Sequence, residues 1–333
     1  MRLATWNIQW FDHLFDERSR LWDDGGRGGR EGVTRHEQTQ AIAHVLRAID
    51  ADAVMVIEAP DARRRTRDGQ TALGHFARRF GLRTGEVLMG FRSDTQQEIA
   101  LLFDPYKLTA RHDPQGGDPP RFDGTFRADL DGDGRPEPVH WSKPPLEVEV
   151  LTAQGSVLRL IGVHAKSKAP HGARDPDHAL RIAHENRRKQ LAQCLWLRAR
   201  VERHLEAGDD VIVLGDFNDG PGLDEHEEHF GRSGVEIVLG EGEGPRLFDP
   251  HARMALRKGA AAPSTARFRV PPDGRWLSAL LDYVMVSPAL RARHPRWRIW
   301  HPFDDPACWR DEALRRALLH ASDHFPVTLD IDL

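Results

Sequence analysis

The sequence predicts a protein of the α/β (α+β) class with one large core, and three observations carry that prediction. Short apolar or β-branched runs recur along the chain, and amphipathic helical patterns lie between some of them. The 333 residues, 39% of them hydrophobic, suffice to bury an extensive interior. Strands and helices alternate without a fixed period, so no repeat architecture is indicated.

The strand candidates, in order, are Leu3 to Ile8, Ala53 to Ile57, Ile99 to Phe103, Leu146 to Leu151, Val157 to Val163, Val211 to Leu214, Tyr283 to Val286 and Phe325 to Ile331. Helical spacing is read over Thr39 to Ile49, where Ile42, Val45, Leu46 and Ile49 share a face, over Thr71 to Phe80, and over His178 to Leu205. Two stretches, about 104–145 and 221–280, are rich in Gly, Pro and charge. Strand signals on both sides continue one pattern, so residues 1–333 are read as a single domain carrying two insertions. Inside the first, Asp129, Asp131, Asp133 and Gly134 sit at EF-hand positions, but His140 stands where the twelfth-position Glu belongs. A hairpin turn explains these Asp-Gly pairs better.

A net charge of -4 excludes a strongly basic whole-molecule field, so any nucleic-acid footprint must be local. Cys194 and Cys308 are too few for a disulfide framework and are not clustered as zinc ligands. Met1 leads straight into a strand, without the layout of a signal peptide, and no apolar run approaches the ~20 residues of a spanning helix. The expectation is a cytoplasmic protein without membrane insertion. The sequence is silent on oligomeric state.

Residues of catalytic type gather at strand ends. Glu58 ends VMVIE, His164 ends LIGVH, Asp216 and Asn218 follow VIVLG, and Asn7 lies in the first strand. Asp282, Asp323 and His324 instead precede strands, at DYVMV and DHFPVTL. In mixed sheets, the ends of some strands and the starts of their antiparallel neighbours share one rim, so all of these can converge.

The ordered set TWNIQW, VIEAP, GVHAKSK, VIVLGDFND, LLDYVMVS and ASDHFPV resembles the endonuclease/exonuclease/phosphatase superfamily, from residue 3 to residue 331. Gly215-Asp216-Phe217-Asn218 and Ser322-Asp323-His324-Phe325-Pro326 are its most diagnostic pieces. The resemblance implies a four-layer αββα sandwich, two mixed, mainly antiparallel sheets face to face with helices outside. It also implies divalent-metal-dependent hydrolysis of phosphate esters, with phosphodiesters favoured because His164-Ala165-Lys166-Ser167-Lys168 resembles a His-x-Lys-Ser-Lys run of bacterial nuclease-like members.

Roles follow from the resemblance. Glu58 is the principal ligand of a hard cation, Mg²⁺ or Mn²⁺ with Ca²⁺ also compatible, and Asn7 and Asp323 stand close by. Asp216 positions or deprotonates water, Asn218 bonds water or phosphate, and His324 pairs with Asp282 beside the phosphate. His164 is a candidate general acid for the leaving oxygen. Its partner falls just before the strand at Ile99, on Gln97 or Glu98, and Glu98 is chosen. Glu58 follows Ile57 where the family usually has Gln, and Gln9 stands where repair-type members carry an acidic residue. One ion is therefore expected rather than two.

Arg63, Arg64, Arg65 and Arg67 follow Glu58, and Lys166 and Lys168 follow His164; Arg63 and the two lysines are candidate phosphate contacts. Arg187, Arg188, Lys189, Arg198, Arg200 and Arg203 are read as the exposed face of the long helix. Trp276 and Trp309 flank Asp282 and Asp323 in sequence, and core packing is the favoured reading of both. Three functions remain open: a nuclease-like phosphodiesterase acting on nucleic acid, a phosphoesterase for a small molecule or lipid headgroup, and a non-catalytic binding protein on the same fold.

Overall fold

The computed structural model describes residues 1–61, 67–93, 97–130, 134–170, 172–222, 231–240, 242, 244–257, 262–270 and 274–333. Arg63 to Arg65, Asp131 and Asp133 lie outside the described residues.

The strands are β1 (Arg2–Asn7), β2 (Ala53–Pro60), β3 (Glu86–Met89), β4 (Gln97–Phe103), β5 (Leu108–His112), β6 (Phe126–Ala128), β7 (Glu137–Val139), β8 (Leu146–Thr152), β9 (Val157–His164), β10 (Val211–Asp216), β11 (Ala266–Val270), β12 (Arg275–Ala279), β13 (Asp282–Val286), β14 (Arg296–Ile299) and β15 (Val327–Asp330). A six-stranded sheet has the order β14-β15-β1-β2-β4-β3 and a five-stranded sheet the order β13-β10-β9-β8-β5. β1 and β2 are parallel, as are β9 and β10, and the remaining neighbours are antiparallel. These are two mixed sheets, mainly antiparallel, as the resemblance implied.

Period-two alternation sorts each strand between two faces. Leu3, Met55, Ile57, Ile99 and Leu101 of the first sheet pack against Leu158, Leu160, Ile212, Leu214 and Val284 of the second, forming the inter-sheet core. Ala4, Trp6, Val54, Val56, Ala100 and Leu102 point the other way. They meet helices α1 (Arg35–Ile49), α2 (Gly69–Phe80) and, near the C-terminus, Glu312–Ala321. On the far side, Ile161, Val163, Val211, Val213 and Met285 meet α3 (Pro176–Glu206). Burying both faces explains why β2, β4 and β10 read as continuous apolar runs.

The helices start where their sequences supply caps. Thr34 and Glu37 close a capping box on α1, Asp68 caps α2, and Asp175 with Pro176 at the first turn starts α3. Short helices α4 (Gly234–Leu239), α5 (Pro250–Ala255), α6 (Pro288–Arg291) and α7 (Pro306–Arg310) precede α8 (Glu312–Ala321).

Three readings need correction. The stretch 104–145 is not wholly irregular: β5 is an edge strand of the five-stranded sheet, and β6 pairs with β7 as the hairpin expected around the Asp-Gly turn. Arg187, Arg198 and Arg200 are buried rather than solvated. Arg200 serves loop carbonyls at Gln115, Pro119 and Pro120 that have come to lie against α3, and Arg187 meets Asp219. Trp276 and Trp309 are 49% and 51% exposed, outside any core. Among the described residues, no helix is long and apolar enough to cross a membrane.

Candidate active site

The rim where the sheets meet collects the ends of β1, β2, β9 and β10 and the starts of β4, β13 and β15. Asn7, Asp216 and Asp282 share the inter-sheet parity of Leu3, Ile212 and Val284, so alternation aims them into one cleft. Glu58 does not have that parity. A bulge between Ile57 and Ala59, with Glu58 at φ 64, re-aims it. Such left-handed backbone costs roughly 1 kcal/mol or more for a residue with a Cβ, a cost expected where function fixes the side chain. Gly215 at φ 142 is required by packing: a Cβ there would lie 2.0 Å from the Val163 carbonyl oxygen.

His324 Nδ1 and Asp282 Oδ2 are 2.8 Å apart, both residues buried. Burial alone would lower the imidazole pKa, but the Asp282 and Asp216 carboxylates overcome it and hold His324 well above its ordinary range. Ser322 knits this segment to β1: its hydroxyl donates to the Asn7 carbonyl at 2.8 Å and accepts the His324 N–H at 3.1 Å. Trp6 Nε1 donates to the His324 carbonyl at 3.0 Å.

Asp216 is held from three directions. Its Oδ2 accepts from Asn7 Nδ2 at 2.8 Å and Asn218 Nδ2 at 3.3 Å, and its Oδ1 accepts the Asn218 N–H at 2.7 Å. Burial pushes its pKa up to about 6, against the opposing pull of His324. Asn218, in the left-handed region at φ 51, also donates to the Ala165 carbonyl at 3.1 Å. Glu58 Oε2 accepts the Trp10 N–H at 2.8 Å, and burial raises this carboxyl to about 7, with Lys143 and His324 opposing and Asp323 assisting.

His164 meets a residue that the sequence reading missed. Lys143 Nζ lies 3.1 Å from Nδ1 of His164 and donates to Gln97 Oε1 at 2.7 Å. Burial and Lys143 keep the His164 imidazole well below its usual pKa, and therefore neutral. Burial lowers Lys143 itself to about 8. The signal was available: Lys143 precedes Pro144-Pro145 and the start of β8, which runs antiparallel to β9 and so begins where His164 ends.

Glu98 is not the partner of His164. Along β4 it has the parity of Ala100 and Leu102, which face the helices, and its carboxylate accepts the Ser93 N–H at 3.0 and 3.1 Å. Gln97, with the parity of Ile99, faces the cleft. Lys168 is likewise taken: its Nζ lies 2.5 Å from Asp219 Oδ1, beside Arg187. Lys166 is anchored by its N–H on Gln193 Oε1 at 2.9 Å, and its charge acts on Lys143. Arg63 lies outside the described residues. Arg30 was not foreseen; it stands 4.0 Å from Asp323 and donates to Gln9 Oε1 at 3.2 Å.

A hard cation fits the donors on this rim. Among the described residues, Asn7 Oδ1 and Asp282 Oδ1 are buried without a hydrogen-bond partner, which is costly unless a ligand satisfies them. One atom each of Asp216, Asp282 and His324 also fall within 4.8 Å of one another. That trio is better read as an imidazolium between two carboxylates, because a protonated ring has no lone pair for a metal. Glu58, Asn7 and Asp323 carry oxygen donors of the kind a hard cation takes.

Solved structures share the fold. An AP endonuclease from Archaeoglobus fulgidus has a similar fold, with TM-score 0.52 and 12% identity over 100% of both chains. Truncated TDP2 from Caenorhabditis elegans is similar at TM-score 0.50 and 14% identity, covering 98% of this chain and 96% of that one. No curated protein sequence matches. The profile of the Endonuclease/Exonuclease/phosphatase family matches residues 4–324, and the chain belongs to that family of phosphoester-cleaving enzymes.

Proposed function

We propose that this protein hydrolyses phosphodiesters, nuclease-fashion, with one bound Mg²⁺ or Mn²⁺. The observation that carries the reading is His324, held protonated by Asp282, facing Asp216, which burial brings to about 6. A fixed positive donor and a base poised near neutrality are what water attack on a phosphate needs.

In this reading Asp216, oriented by Asn7 and Asn218, takes a proton from water as its oxygen bonds to phosphorus. The His324 imidazolium stabilises charge growing on a non-bridging oxygen. The bond from phosphorus to the leaving oxygen breaks as Lys143 supplies that oxygen with a proton. Lys143 replaces the expected general acid His164, since a buried neutral imidazole has no proton to give at neutral pH. His164 instead positions Lys143. Glu58, Asn7 and Asp323 would hold the cation, which would supply Lewis-acid polarisation of the phosphate. One ion is favoured because Gln9 and the Arg30 guanidinium occupy the flank where a further acidic ligand would be needed.

The test is a panel of plasmid, single-stranded DNA, RNA, bis(p-nitrophenyl) phosphate and p-nitrophenyl phosphate with Mg²⁺ or Mn²⁺, using His324→Ala as control. Cleavage of diesters by wild type alone is the expected result. Turnover of the monoester alone, or of nothing, overturns the reading.

A further inference from the structure

A continuous ribbon of arginines and aromatic rings leads away from the catalytic rim. Arg269 stacks over Trp276 at 5.1 Å, and Arg267 stacks over Trp276 at 4.7 Å and over Phe303 at 4.8 Å. Phe303 and Trp309 have ring centroids 6.2 Å apart, and Arg315 covers Trp309 at 4.6 Å. The three rings are 37% to 51% exposed, on a chain with ample core in which to bury them. Among the described residues, no carboxylate pairs with Arg267, Arg269 or Arg315, and Arg315 Nη1 donates to the Trp309 carbonyl at 2.5 Å.

The ribbon is fastened to the catalytic pair. It begins on the β11–β12 hairpin, where Arg269 lies opposite Trp276. The Arg267 N–H donates to the Asp323 carbonyl at 2.7 Å, and Ala266 bridges His324. Thr265 Oγ1 accepts the Asp282 N–H at 2.9 Å. A polymer whose phosphate reaches His324 therefore has this surface directly beside it.

We propose that the ribbon binds unpaired nucleotides of a single-stranded DNA or RNA substrate, with bases stacking on Trp276, Phe303 and Trp309 and phosphates meeting the arginines. This rests on the phosphodiesterase reading for its place in function, but not for its chemistry. Half-exposed rings interleaved with cations match a strand whose bases present free π-faces and whose backbone is anionic. A duplex keeps its bases stacked inside and offers these rings nothing. A protein partner would need complementary acidic and apolar patches in the same alternation.

The experiment measures binding of fluorescent dT12, U12 and a 12-base-pair duplex to the full chain by anisotropy, in EDTA, so that cleavage plays no part. Wild type is expected to prefer both single strands to the duplex. Trp276→Ala and Trp309→Ala should each weaken single-strand binding by about five- to a hundredfold, while Trp276→Phe, which keeps a ring, should retain most of it. Arg269→Gln should make binding less steep in salt. Unfolding temperatures confirm that each variant is folded. Unchanged affinity in both alanine variants, or an equal loss on the duplex, overturns the proposal, and so does a wild type that binds neither single strand. Ring-dependent binding by a protein that cuts no diester would overturn the proposed activity and leave this inference standing. Diester cleavage with ring-independent binding would do the reverse.

Discussion

Lys143 Nζ lies 3.1 Å from Nδ1 and 3.3 Å from Nε2 of His164, so an ammonium is held against a neutral ring inside the cleft. Burial brings the proposed acid, Lys143, down to about 8 and the proposed base, Asp216, up to about 6. The acid works protonated and the base ionised, so kcat should fall below about pH 6 and above about pH 8. Lys143→Arg keeps the charge but cannot release its proton. It should lose the alkaline limb and on the order of a hundredfold in turnover. An alkaline limb that persists in Lys143→Arg removes this residue from the acid role.

His324 and Glu58 should fail differently. His324→Ala removes the imidazolium and should cost about a thousandfold in kcat with cation affinity little changed, whereas Glu58→Ala should weaken Mn²⁺ binding measured by calorimetry. The opposite pattern would move the cation to the Asp216, Asp282 and His324 trio. Excess EDTA should abolish turnover, and added Mg²⁺ should restore it.

The eight strands read from the sequence all exist, because their apolar runs are long and buried on both faces. In the two main sheets β3, β5 and β14 escaped: they are edge strands with exposed or half-buried residues, such as EVLM, LTARH and RWRI, that lack such runs, and the short strands of the two separate hairpins, β6-β7 and β11-β12, escaped as well. The rim residues were legible because they break strand runs at their ends. Parity was not, since β4 is apolar at both Ile99 and Ala100 and so does not reveal that Glu98 faces outward. The Glu58 bulge depends on how β2 pairs with β4, which no local pattern encodes.

Glu98 now predicts a stability effect. Burial raises its carboxyl to about 7, above the ordinary 4.5. The folded state therefore holds this proton more tightly than the unfolded chain does. Between about pH 4.5 and 7 the unfolded chain ionises first, so Glu98 makes the protein less stable as pH rises, by on the order of 3 kcal/mol across the window. Glu98→Gln, which cannot ionise, should lack that part of the slope. Denaturant unfolding of both proteins at pH 5 and pH 7 checks it, and parallel changes in the two would contradict the shift.

Asn7 belongs to one sheet and Asp216 to the other, and the 2.8 Å bond between them acts as an alignment gauge. Apolar contacts between the sheets are non-directional and tolerate a slide of an ångström; a hydrogen bond of that length does not. Catalysis should therefore sense shear between the sheets before the fold does. In rising urea, turnover is expected to fade at concentrations where circular dichroism still reports native structure, which makes activity the earliest measure of loosening in this protein.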